Sequence, residues 1–161
     1  MKNTIAYTSI EQIVVGDYKF NCDEYHFYDN EETAREEIED FKEDNEFTYV
    51  AKVEIKTELF NIYNPIHRRQ LLGIMPKYVG YRHMKVNKEV LVLSLMGQWT
   101  RDDYSLDVED NYSTNELFDE ANVKFFIKEL GFNGYISMID QLSQYTVFFP
   151  DNHVQIIRLS I

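Results

Sequence analysis

Apolar and polar residues alternate most cleanly between Phe47 and Ile55. Phe47, Tyr49, Ala51, Val53 and Ile55 fall on one side, with Thr48, Lys52 and Glu54 between them. A period of two predicts a half-buried strand. Thr4 to Ser9 and Tyr25 to Tyr28 are apolar enough for two shorter strands ahead of it. After Tyr28 the period changes. Asp29-Asn30 offers an N-cap, Glu31 and Glu32 occupy the positively polarised first turn, and Ala34, Ile38 and Phe41 recur at helical spacing. Asn64-Pro65 marks a loop, and His67 to Gly73 has room for a short helix. Val90 to Met96 suits a strand or a buried helix, and Asp102 to Asn111 reads as a loop. Ser113 with Glu116 makes a capping box ahead of Leu117, Phe118, Ala121 and Phe125, the buried stripe of a helix that ends at Gly131. Short strands follow, separated by Asp140 to Ser143 and by Pro150-Asp151-Asn152. Strands at both ends with helices between predict an α+β domain.

No Pro/Gly-rich linker, repeat or low-complexity tract interrupts the 161 residues, so one domain spanning 1–161 is expected. Hydrophobic content of 44% argues against disorder. No apolar run reaches the ~18 residues of a membrane span, and Met1-Lys2-Asn3-Thr4 lacks a signal-peptide core. The lone Cys22 permits no internal disulfide and fits a reducing cytoplasm. His26, His67, His83 and His153 lack zinc-ligand spacing, so no metal is expected.

Charge changes the picture more. The net value of -12 disfavours direct contact with nucleic acid or an anionic membrane. Twelve acids lie from Asp23 to Glu46 against Arg35 and Lys42, and eight lie from Asp102 to Glu120 without a Lys or Arg. Leu59 to Lys88 carries six basic residues and no acid. The plain reading is solvated faces with one basic loop or helix. The sharper one is a basic lip beside an anion-binding cleft, with acidic flanks that meet a basic partner protein.

Three short segments, in this order, resemble the ADP-ribosyltransferase-like superfamily. They are Ile5-Ala6-Tyr7-Thr8-Ser9, Tyr25-His26-Phe27-Tyr28-Asp29-Asn30-Glu31-Glu32-Thr33-Ala34, and Ser143-Gln144-Tyr145. Tyr49 to Ile55 with Asn64-Pro65 is similar to the stretch between the last two, and Leu130-Gly131-Phe132-Asn133-Gly134 to a segment near the family's end. With Thr8-Ser9-Ile10-Glu11-Gln12-Ile13, the layout looks most like the small phage anti-defence, anti-CRISPR type members. The resemblance implies antiparallel or mixed strands split around a cleft. It implies NAD as co-substrate, held by Tyr7, Thr8, Ser9, Phe27, Tyr28 and Tyr145, with Gln144 as the residue that handles the nicotinamide ribose. Tyr7 stands roughly where relatives carry histidine or arginine, and Gln144 is neutral where many carry glutamate.

Nicotinamide leaves the sugar through an oxocarbenium-like transition state, so the site must clamp NAD and stabilise positive charge on the ribose. Gln144 brings only a hydrogen bond, and Asp140 and Glu24 are the nearby carboxylates in sequence. The implied activity is mono-ADP-ribosylation of a protein. The alternative is an inactive acidic relative that inhibits a basic, nucleic-acid-binding partner by direct contact.

Overall fold

The alternating stretch becomes strand β3, Thr48–Ile55, in the computed structural model, which describes residues 3–40, 48–61, 63–74, 120–139 and 142–161. Val53 and Ile55 are fully buried, as their period requires. Ahead of it come β1 (Thr4–Glu11), α1 (Gln12–Asp17), β2 (Glu24–Tyr28) and α2 (Glu31–Asp40). After it come β4 (Phe60–Asn61), α3 (Pro65–Ile74), α4 (Glu120–Glu129), β5 (Gly134–Ile139), β6 (Leu142–Phe148), a 3-10 turn at Pro150–Asn152, and β7 (Val154–Ser160). Phe41, Phe47, the 90–96 run, the 102–111 loop, the Ser113–Glu116 capping box, Leu117, Phe118 and Asp140 lie outside the described residues.

The described strands form one mixed sheet in the order β4-β5-β6-β2-β1-β3-β7. β4 pairs parallel to β5, and every other neighbour is antiparallel. The α+β class holds. The expected split around a cleft takes a different form, because the strands share one continuous sheet. That sheet is nonetheless thin at one seam. β1 and β3 are in register over their whole length, Thr4↔Ile55 to Glu11↔Thr48, whereas β1 meets β2 through the single pair Tyr7↔Tyr28. Side chains replace the missing ladder. Thr8 Oγ1 donates to the His26 carbonyl at 2.8 Å, and the Tyr25 hydroxyl donates to the Ser9 carbonyl at 2.9 Å.

One sheet face carries the larger core. Ala6, Ile10, Phe27, Ala51, Val53, Ile55 and Val147 pack there with Val14 of α1 and Phe20. The other face takes α2 across β1, β2 and β3, and α4 against β5. Phe60, His67 and Phe132 form a ring cluster on the α3–β4 side, with Phe60 edge-on to Phe132 at 5.6 Å.

The helix signals resolve with two corrections. Asn30 caps α2, its Oδ1 accepting from Thr33 N at 2.8 Å, and Ala34 is buried as expected. Asn64-Pro65 opens α3 instead of continuing a loop. Asn64 Oδ1 accepts from Ile66 N at 2.9 Å, and proline at the first helical position gives up an N–H that has no helical partner anyway. At Phe125 the stripe read into α4 is out of phase. Phe125, placed inside, is 44% exposed, and Phe126 and Ile127 are buried instead. One residue turns a helix by about 100°, so a one-position error moves a side chain from core to surface.

α4 closes as its glycine predicts. Gly131 has φ 88, Phe132 N donates to Ile127 O at 3.2 Å, and Gly131 N donates to Lys128 O at 2.9 Å. This pair of bonds is a Schellman cap, with the buried residues Phe132 and Ile127 at its apolar positions. The chain then turns directly into β5.

Candidate functional site

The segments 5–9, 25–34 and 143–145 fall on or run out of three adjacent strands, β1, β2 and β6. Register fixes which side chains share a face. Tyr7 sits opposite Tyr28, Tyr28 opposite Gln144, and Gln144 opposite Ser137. On the other flank Tyr7 sits opposite Lys52 of β3. Lys52, Tyr7, Tyr28, Gln144 and Ser137 therefore form one row across the sheet, on the face that α2 and α4 partly cover. Ser9 shares that face by strand alternation.

The remaining predicted residues point the other way. Thr8 is 1% exposed and its hydroxyl is committed to the seam. Phe27 is 0% exposed, inside the core. Tyr145, opposite Phe27, packs against the same core. Burial first, and then the Asp29 charge, push its phenol above the ordinary tyrosine range. Seven residues assigned to one site are thus divided by the sheet. Tyr7, Ser9, Tyr28 and Gln144 stay together, while Thr8, Phe27 and Tyr145 support them from behind.

Gln144 is the third residue of β6 and half-buried. Its carbonyl accepts from Ser137 Oγ at 3.5 Å, and its side chain lies opposite Tyr28 in the register, close enough to oppose the rise of that phenol's pKa.

The structure adds one residue that the motif reading missed. Glu37 of α2 reaches down to the row. Its Oε2 accepts from Ser9 Oγ at 2.6 Å, and its Oε1 accepts from the Tyr28 hydroxyl at 3.1 Å. A chain of polar contacts results, Ser137–Gln144–Tyr28–Glu37–Ser9. Tyr28's phenol lies above its usual range, through burial first and then the Glu37 charge and hydrogen bond, with Gln144 opposing. Tyr25's phenol is also held well above that range, by burial and then by Glu37. The sequence does hold a signal for Glu37. It lies one turn after Ala34 on the sheet-facing side of α2, where periodicity alone calls for an apolar residue.

Of the two carboxylates considered from sequence, Glu24 is engaged away from the row. It sits at the far end of β2, opposite Phe148, and pairs with Lys124 of α4 at 2.6 Å. Asp140 is outside the described residues. His26 shares the face and is exposed, with Nδ1 3.0 Å from Thr146 Oγ1. Asp29 pins the mouth of the row by accepting from Ser143 N at 3.2 Å, while its own N–H donates to Ser143 O at 3.2 Å.

No protein-family model, no curated protein and no solved structure matches the chain.

Proposed function

We propose that this chain is a mono-ADP-ribosyltransferase that takes NAD as co-substrate and modifies a protein, with its nucleotide site on the β1–β2 seam. The supporting observation is positional. Three segments similar to the family lie on adjacent strands and put Tyr7, Tyr28 and Gln144 side by side in one row. On this reading the two phenol rings flank the nicotinamide, and Gln144 hydrogen-bonds the ribose. Lys52 adds a cation on the same row for the pyrophosphate. Thr8 and Phe27 are too buried to touch NAD. Their part is to hold the seam that presents Tyr7 and Tyr28.

The resemblance alone suggests the setting. The target would belong to a bacterial defence system, met by a phage-encoded chain in the host cytoplasm.

Binding is the first test. A ligand that binds only the native state stabilises it by mass action, by about 2.7 kcal/mol at about 100 times its Kd. NAD should therefore raise the melting temperature of the wild type, and Tyr7→Ala should abolish the rise. An unchanged melting temperature at millimolar NAD contradicts the proposal.

A second reading rests on its own observation. Gln144 carries no charge, and Glu32, Glu36 and Asp40 stand exposed on α2. An inactive relative would use that acidic helix against a basic protein surface and would have no use for NAD.

A further inference from the structure

We propose that Glu37 is the carboxylate of this site, facing the nicotinamide ribose from helix α2 and supplying the charge that Gln144 lacks; the inference rests on the NAD reading above. Glu37 and Gln144 come from different elements but flank the same side chain, Tyr28, Glu37 through a 3.1 Å hydrogen bond to its hydroxyl and Gln144 from the paired position on β6. Only Tyr28 therefore stands between Glu37 and the residue that the motif assigns to the ribose.

Its placement is set in advance. α2 is fixed at its start by the Asn30 cap and along its length by buried Ala34. Arg35 donates to the Ile161 carbonyl at 3.2 Å, and Arg158 pairs with Glu31 at 3.1 Å, tying the helix to β7 and the residue after it. The carboxylate at the other end is then gripped by two hydroxyls, at 2.6 and 3.1 Å. One hydroxyl on each oxygen orients the carboxylate without cancelling its charge and leaves acceptor sites free. A fixed, half-buried anion that needs no reorganisation is what stabilises a developing cation most effectively. Among the described residues no cation forms an ion pair with Glu37.

The step it serves balances simply. The glycosidic C–N bond breaks, and its electron pair neutralises the pyridinium nitrogen as nicotinamide departs. The anomeric carbon carries positive charge until the acceptor's lone pair forms the new bond. The acceptor's proton passes to solvent. When water is the acceptor the products are ADP-ribose and nicotinamide, which gives an assay that needs no target protein.

An anchoring role alone would also explain the two hydrogen bonds, so the test uses a rescue. Nicotinamide release and NAD affinity are measured for the wild type, for Glu37→Gln, and for the double variant Glu37→Gln with Gln144→Glu. Glutamine keeps the shape and can still bond Ser9 and Tyr28. The expected result is a fall in turnover of about 100-fold for Glu37→Gln, in the range seen when one electrostatic stabiliser is removed, with NAD affinity little changed. The double variant returns a carboxylate to the other side of Tyr28 and should recover at least about tenfold of that loss. Loss of the Glu37 charge should also lower the Tyr28 phenol titration, read by NMR on labelled tyrosine. Full turnover in Glu37→Gln overturns the inference and leaves the NAD reading intact. So does a loss that the double variant does not recover, which marks Glu37 as an anchor. A wild type that neither binds nor cleaves NAD overturns the reading itself, and the inference with it.

Discussion

Gly134→Ala should unfold the protein or remove more than about 4 kcal/mol of its stability, a loss confined to a few drastic mechanisms. Gly134 opens β5 with φ 150, a conformation that side chains rarely adopt. A Cβ there would sit 2.0 Å from the Thr146 carbonyl oxygen and 2.9 Å from Leu59 Cδ2. The nearest obstacle is backbone in β6, a strand held on both sides by β2 and β5, so it cannot step back. Gly131 provides the control. It also has positive φ, but nothing lies within 4 Å of its missing Cβ. Gly131→Ala should carry only the left-handed strain, about 1–2 kcal/mol. Urea denaturation of both variants measures the difference. Equal losses would mean that close strand approach is not what selects glycine at 134. The two glycines of Leu130-Gly131-Phe132-Asn133-Gly134 thus have separate physical reasons, a helix cap and a strand approach. Neither reason is chemical, and that segment by itself specifies a turn, not an activity.

Phe27→Ala and Tyr28→Phe should separate core from site within one dipeptide. Phe27 is fully buried and touches Phe20 at 5.7 Å and Tyr25 at 5.6 Å between ring centres. Truncation should lose about 3–5 kcal/mol, the usual range for a buried phenylalanine. Tyr28→Phe keeps the ring and removes one half-buried hydroxyl, at a loss of about 1 kcal/mol. It should nonetheless reduce the stabilisation by NAD, because Glu37 loses the hydroxyl that holds it to the row. Denaturation curves with and without NAD read both effects. A stable Phe27→Ala, or a Tyr28→Phe with unaltered NAD response, contradicts the division of the sheet into two faces.

The strands at 4–9, 25–28 and 48–55 and the helix behind Asp29-Asn30 were legible because each carries a local signal, alternation or a cap. Strand order was not legible, since nothing local says that β6 lies beside β2 and not beside β7. The site suffered from the same gap. Alternation alone separates Thr8 from Ser9 and Phe27 from Tyr28, and motif matching overrode it by treating each segment as a unit. Reading the period through the motif would have kept Tyr7, Ser9 and Tyr28 and released Thr8 and Phe27. Glu37 belongs to a different class of miss. Its contact with Ser9 spans 28 residues and depends on how α2 lies across the seam, so the local pattern offers only a carboxylate on the helix's inner side and not its partner. The exposure of Phe125 was missed for a smaller reason, one residue of helical phase.

Transfer of ADP-ribose from NAD at the seam can be measured directly. The purified chain is incubated with labelled NAD and a bacterial lysate, and the proteins are examined for label and mass. The proposal predicts label on a protein target with a matching mass increment, produced at a small molar ratio of this chain and lost in the Tyr28→Ala variant. A stoichiometric complex that forms without NAD, survives gel filtration, weakens with salt and leaves its partner unmodified would contradict it, and would instead favour an acidic inhibitor.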